Sequence, residues 1–187
     1  MHPQGRQRGF TLIEILVAVT VIAIVLSIAL LSINLVRSDR EVRTEGERLI
    51  ALIEAARDDA YFQGREFGLE MLRHGYRFLE YDPASGAWAE IPDDETLRQW
   101  PLPDGLELSL VLENKTIELP MEFAELKQDT RPGAPASRFA PHLLIFSSGD
   151  MTPFVARITR QHDREVIAVE GDLLGNLELV VEDDAAV

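Results

Sequence analysis

The chain of 187 residues has no cysteine. Disulfides are therefore excluded, no zinc-ligand spacing can be assembled from Cys and His, and stability must come from the core alone. Cations are scarce: 18 Lys+Arg stand against 32 Asp+Glu, a formal net charge of −14. That balance disfavours nucleic acid as a partner, because phosphate binding needs clustered cations. It also means that a homopolymer would have to manage considerable self-repulsion. The four histidines, His2, His74, His142 and His162, form no H-x-H or H-x-x-x-H pair and are read as surface or turn residues rather than ligands. Glycine-rich phosphate loops and solenoid repeats are absent. Proline is missing from the whole stretch between Pro3 and Pro83.

What the chain does have is an apolar run of 24 residues, Phe10 to Ile33, with a single charge, Glu14, near its start and Arg6 and Arg8 just ahead of it. As a helix it would span about 36 Å, enough to cross a hydrocarbon core of roughly 30 Å. A chain this short has little core in which to hide such a helix. A secretory signal peptide is the rival reading, with Ser27-Ile28-Ala29 as its cleavage site, but such apolar regions run roughly 7–15 residues. Charge does not settle orientation, since Arg37, Arg40 and Arg43 follow the run.

Two readings of Glu14 stay open. A first-turn glutamate is favoured by the helix dipole and can snorkel to the headgroups. Alternatively, an intramembrane acid is costly, about 2.5–3.5 kcal/mol, and usually has a partner. A partner would be at hand if the chain were cut just before Phe10, freeing a cationic α-amine on a neighbouring copy. Such an ion pair at low dielectric can set register between packed helices.

Beyond the run the helix is expected to continue to Gln63, with Gly64 as its left-handed cap, some 80 Å in all. Val42, Gly46, Leu49, Ile53, Ala56 and Ala60 mark one face at alternating intervals of four and three. The remainder reads as β. Glu66–Leu72 alternates, with Phe67, Leu69 and Met71 on one side. Arg73-His74-Gly75 predicts a turn, Tyr76–Tyr81 the return strand, and Asp82-Pro83-Ala84-Ser85-Gly86 another turn. Further strands are expected at Ala87–Ile91, Leu106–Leu112, Thr116–Leu119 (after an Asn114-Lys115 turn), Leu143–Phe146, Phe154–Thr159, Val166–Val169 and Leu177–Val181. Lys127–Pro141, with Pro132, Gly133, Pro135 and Pro141, predicts a mobile loop, and Glu182-Asp183-Asp184 a solvated acidic tail. The fold class is thus α+β: a long N-terminal helix packed on an antiparallel β-sheet or small β-sandwich.

Catalytic constellations find little support. Phe146-Ser147-Ser148-Gly149-Asp150 lacks the G-x-S-x-G elbow and is ordinary turn chemistry. Asp93-Asp94-Glu95 could bind calcium, but adjacent acids without EF-type spacing more often form a solvated loop or helix start. Trp88 is assigned to the core; Trp100, in an expected loop, is either core or a partner anchor.

Arg8-Gly9-Phe10-Thr11-Leu12-Ile13-Glu14 and the run behind it resemble the class III signal of type IV pilins and type II secretion pseudopilins. The resemblance implies that a membrane peptidase and methyltransferase cuts after Gly9 and N-methylates Phe10, and that Glu14 neutralises a neighbouring subunit's N-terminus during assembly. It gives residues 1–9 as a cleaved leader, 10–33 as a transmembrane helix, 34–64 as its amphipathic continuation and 65–187 as a periplasmic β-rich domain. Many members carry a mid-helix proline and a disulfide-bounded C-terminal loop; this chain has neither. Arg48-Leu49, Glu54-Ala55-Ala56-Arg57, Gln63-Gly64-Arg65-Glu66-Phe67-Gly68-Leu69 and Gly75-Tyr76-Arg77-Phe78 narrow the likeness to the minor pseudopilin H (GspH/FimT-like) group. That implies a non-enzymatic pseudopilus subunit of the inner membrane, its C-terminal domain periplasmic, with other pseudopilins, the prepilin peptidase and the membrane as partners, and no cofactor, metal or nucleic acid. The alternatives are a minor pilin of a type IV pilus (FimT/FimU-like) and a membrane-tethered periplasmic binding module or enzyme.

Overall fold

The computed structural model describes residues 11–91, 94–121, 139–160 and 165–183, with side chains described throughout except at 28–39, 165 and 183. The chain falls into two compact units, Met1–Arg40 and Glu41–Val187. Helix α1, Leu12–Gln63, contributes to both. Its C-terminus closes as expected. Gly64 takes φ +65°, which a residue without Cβ adopts freely, and Arg65 N–H donates to Ala60 O at 3.2 Å, the six-to-one bond of a Schellman end.

In the second unit the stripe Val42, Gly46, Leu49, Ile53, Ala56 and Ala60 is buried, as its spacing predicts. At Gly46 the helix passes close to two strands: a Cβ there would lie 2.9 Å from Ile167 Cγ2 and 3.0 Å from Leu179 Cδ1. Glu45 is buried on the helix as well. It accepts from Arg48 Nη1 at 2.7 and 2.8 Å, and burial still raises its pKa, against Arg48, which lowers it.

Ten strands form two five-stranded antiparallel sheets among the described residues. The first contains β1 (Phe67–Leu72), β2 (Gly75–Asp82), β3 (Ala87–Glu90), β4 (Gln99–Pro101) and β7 (Leu143–Ile145), in the order β3-β2-β1-β7 with β4 also on β2. The second runs β10-β9-β8-β5-β6, from β5 (Leu106–Leu112), β6 (Lys115–Ile117), β8 (Phe154–Arg160), β9 (Glu165–Gly171) and β10 (Leu177–Asp183). One apolar cluster joins them to the helix, including Leu49, Ile53, Phe67, Phe78, Leu110, Ile158 and Ile167. The expected sandwich form is thus realised with two sheets.

Turn chemistry places most strand ends. Arg73 and His74 make the two-residue link between β1 and β2, register Leu72↔Gly75. Asp82 nucleates the next turn, accepting from Ala84 N at 2.9 Å and Ser85 Oγ at 2.7 Å; these bonds hold its carboxyl below the usual range. The β5–β6 turn is Glu113-Asn114 rather than Asn114-Lys115. Both residues lie in the left-handed region, φ 49° and 62°, the geometry a two-residue type I′ hairpin requires.

Several expectations are corrected. Strand β1 is not one-sided: all six of its residues are buried. Its second face is covered, because Gly68 lies under Pro141 and Trp88 and Glu70 pairs with Arg77. Trp88 is half-buried rather than core, its ring 5.3 Å from Tyr81's. Trp100 is in strand β4, not a loop. It donates to Thr96 O at 2.9 Å and lies beneath the guanidinium groups of Arg48 and Arg98. Glu182 and Asp183 belong to β10 rather than a solvated tail. Glu182 receives Arg157 at 2.7 and 3.2 Å, an ion pair that keeps the strand going. His142 is no surface residue: it is half-buried beside β7 and its Nδ1 accepts from Met71 N at 3.0 Å. Residues 127–138 of the expected loop, Asp93 and Asp184 lie outside the described residues.

Candidate functional site

Among the predicted site residues, Gly9 and Phe10 lie outside the described residues, and Glu14 stands in the first turn of α1. Thr11 caps that turn. Glu14 N–H donates to Thr11 Oγ1 at 3.3 Å and to Thr11 O at 3.1 Å. Thr11 at the cap and Glu14 three residues on form the T-x-x-E capping-box pattern. The pattern is legible in the sequence itself, Thr11-Leu12-Ile13-Glu14. The cap is thus made by the Thr11 side chain and the Glu14 backbone N–H, and the Glu14 side chain is exposed.

Every described side chain from Leu12 to Ser27 is exposed, Leu12 at 84%. Apolar residues lie on all sides, so no single stripe can be buried against a globular neighbour. The two hydroxyls in this stretch are turned inward: Thr20 Oγ1 donates to Leu16 O and Ser27 Oγ to Ala23 O, both at 2.8 Å. Their polarity is satisfied by the helix itself, which suits apolar surroundings. Taken over the described residues alone, no helix is long and apolar enough to cross a membrane. Phe10 and the side chains from Ile28 to Ile33 are outside that reckoning.

The other candidates resolve into structural roles. Asp94 Oδ1 accepts from Thr96 N and Leu97 N at 2.7 and 2.8 Å, ordering a loop. The Phe146–Asp150 segment is a closed turn, Phe146 N donating to Asp150 O and Gly149 N to Phe146 O, both at 2.9 Å. His74 Nδ1 lies 3.3 Å from Leu106 O. His2 and His162 lie outside the described residues. Among the described residues no group of three acidic or imidazole side chains could hold a metal ion.

Solved structures of similar fold define the class. Two structures of the minor pseudopilin EpsH from the type 2 secretion system of Vibrio cholerae match at TM-scores of 0.55 and 0.57 and 23% identity. They cover 75% and 76% of this chain and 96% and 94% of theirs. The solution structure of Escherichia coli GspH matches at 0.54 and 18% identity, over 80% of this chain and 94% of its own. The fold is thus the pilin-like α+β fold of pseudopilins. A prokaryotic N-terminal methylation motif matches residues 4–30, a span that contains Gly9, Phe10 and Glu14. The type II secretion system protein H of Aeromonas hydrophila is 30% identical over 181 residues, 96% of either chain. That of Pseudomonas aeruginosa is 34% identical over 154 residues, 82% of this chain and 84% of its own. The chain belongs to the type II secretion system protein H family.

Proposed function

We propose that the chain works as a minor pseudopilin: a structural subunit of the periplasmic pseudopilus, supporting export of folded proteins across the outer membrane, with no chemistry of its own. In this reading Phe10–Ile33 anchors it once in the inner membrane and the β-rich unit is periplasmic. The leader keeps the amine of Phe10 blocked. Prepilin peptidase cuts after Gly9 and methylates Phe10. The freed cation of one subunit and the Glu14 carboxylate of its neighbour then neutralise each other where low dielectric makes the pairing strong. The anchor helices pack together while the folded units face outward.

The observation that carries this reading is the capped helix start: an exposed acid at the third position, followed by apolar side chains on every face. Such a surface needs lipid or other helices of its kind. Mass spectrometry of the N-terminus of the chain recovered from membranes is the test. An N-methylated phenylalanine at position 10 is expected. A functional chain that still begins at Met1, or begins beyond Ala29, overturns the proposal.

A further inference from the structure

A groove of about 480 Å³ lies at one end of the second sheet, between the β5–β6 turn at Glu113-Asn114 and the β9–β10 turn that starts at Asp172. Its bed follows one row of the sheet. Val111, Val155, Glu170 and Glu178 are successive register partners on β5, β8, β9 and β10. Ile167 and Val169 face Gly46 of the helix; Glu170, one residue on, points the opposite way, into solvent. The groove is in good part apolar, with Val111, Val155 and Leu177 half-buried along it.

Its charge is of one sign. Glu170 and Glu178 stand directly opposite each other, an arrangement of like charges that weakens a strand pair. Glu113 and Asp172 line the same groove, and among the described residues no lysine or arginine does. Arg157, in the neighbouring row, is held by Glu182 and feels Glu170 only secondarily.

Beside the groove an apolar tip is held ready. Leu173 and Leu174 are 58% and 69% exposed. The turn carrying them is fixed by Asn176, whose N and Nδ2 donate to the Asp172 carboxylate at 2.9 and 2.7 Å. Gly175 at φ +80° completes it, and Arg57 Nη1 of the helix donates to Gly175 O. A rigid pair of exposed leucines next to an acidic, partly apolar channel matches one kind of occupant, an apolar segment flanked by lysine or arginine.

We propose that this groove docks a basic, apolar-flanked segment of a different pseudopilin in the same assembly. Charge complementarity selects the occupant. A second copy is disfavoured, because each chain carries a formal −14 and would bring acid to acid. A cationic segment would relieve the Glu170–Glu178 repulsion and cover the two leucines together. The inference rests on the reading of the chain as one subunit of a mixed filament.

The test uses the full chain, tagged and co-expressed with the other pseudopilins of its system, then extracted in mild detergent. The double reversal Glu170→Lys and Glu178→Lys should capture at least tenfold less partner pseudopilin than the wild type. Methylation of Phe10 and the thermal midpoint should be unchanged, and capture by the wild type should fall as salt is raised. Wild-type levels of capture by the double variant overturn the inference alone; a wild type that captures no pseudopilin overturns the functional reading with it. Should the reversal lower the midpoint, a photo-crosslinking residue at Leu174 in the otherwise unaltered chain decides. An adduct with a Lys- or Arg-containing peptide of another pseudopilin supports the inference, and an adduct with a second copy, or none, overturns it.

Discussion

Arg77 and Glu70 face each other across the β1–β2 pair as direct register partners, with Arg77 Nε donating to Glu70 Oε2 at 2.6 Å. Their side chains are 5% and 12% exposed. Arg77 also reaches Glu90 at 3.1 Å, and its guanidinium stacks over the ring of Phe139 at 4.5 Å. One cation thus holds two strands and the segment that covers them.

Removing that cation strands the acid. Arg77→Ala should cost about 3 kcal/mol, the loss expected when one member of a buried pair is deleted. The paired change Glu70→Leu with Arg77→Met should cost clearly less, because no charge is left uncompensated. Denaturant unfolding of the full chain in detergent measures both. A double variant less stable than the single one would contradict this account.

His142 makes stability depend on pH. Burial lowers its pKa from 6.5, with the Glu70 charge opposing, and its Nδ1 must stay unprotonated to accept from Met71 N. The unfolded chain therefore takes up this proton at higher pH than the folded one. Stability should be full above about 6.5 and fall as pH drops from there toward the folded value. His142→Gln keeps an acceptor without the titration and should flatten that part of the profile. An unaltered slope would assign the dependence to other groups.

Gly46 tests the seat of the helix. Gly46→Leu would force a side chain between Ile167 and Leu179 and should cost about 3 kcal/mol, the upper end for overpacking. Gly46→Ala should cost less, about 1 kcal/mol, because its Cβ would still crowd Ile167 Cγ2 at 2.9 Å and Leu179 Cδ1 at 3.0 Å, which the better helix propensity of alanine only partly offsets. Chemical unfolding midpoints separate the two; equal effects would mean the close approach does not limit packing.

Glutamine at position 14 separates the charge pairing proposed for Glu14 from a part in the cap. Glu14→Gln keeps a side chain suited to the capping box but removes the charge. If charge pairing drives assembly, Glu14→Gln and Glu14→Ala should both be cut and methylated yet enter the filament poorly. Thr11→Ala, which weakens only the cap by about 1 kcal/mol, should assemble. Normal secretion with Glu14→Gln would count against charge pairing as the driver of assembly. Gly9→Val should block processing, checked by the absence of any mature chain starting at Phe10.

Local chemistry was legible in the sequence, and distant cover was not. Gly64 ended the helix at Gln63, and the Asp82–Gly86 turn fell where its residues put it, because each is decided within a few positions. The second burial of β1 could not be read there, since Pro141, which covers Gly68, arrives from far along the chain. Trp100 read as loop because its strand is three residues long and ends in proline. Glu182 read as tail because its partner Arg157 is on another strand. The N-terminal motif was plain because it is carried by contiguous residues and matches the methylation motif over residues 4–30, whereas the cation proposed for Glu14 would belong to another molecule.

Every buried residue described on the helix lies at Val42 or beyond, and Glu41–Val187 is compact by itself. The buried core of the described residues therefore lies within Glu41–Val187. On the proposed reading, a subunit can wait in the bilayer fully built, and growth of the filament becomes the lifting of finished parts rather than a step of folding.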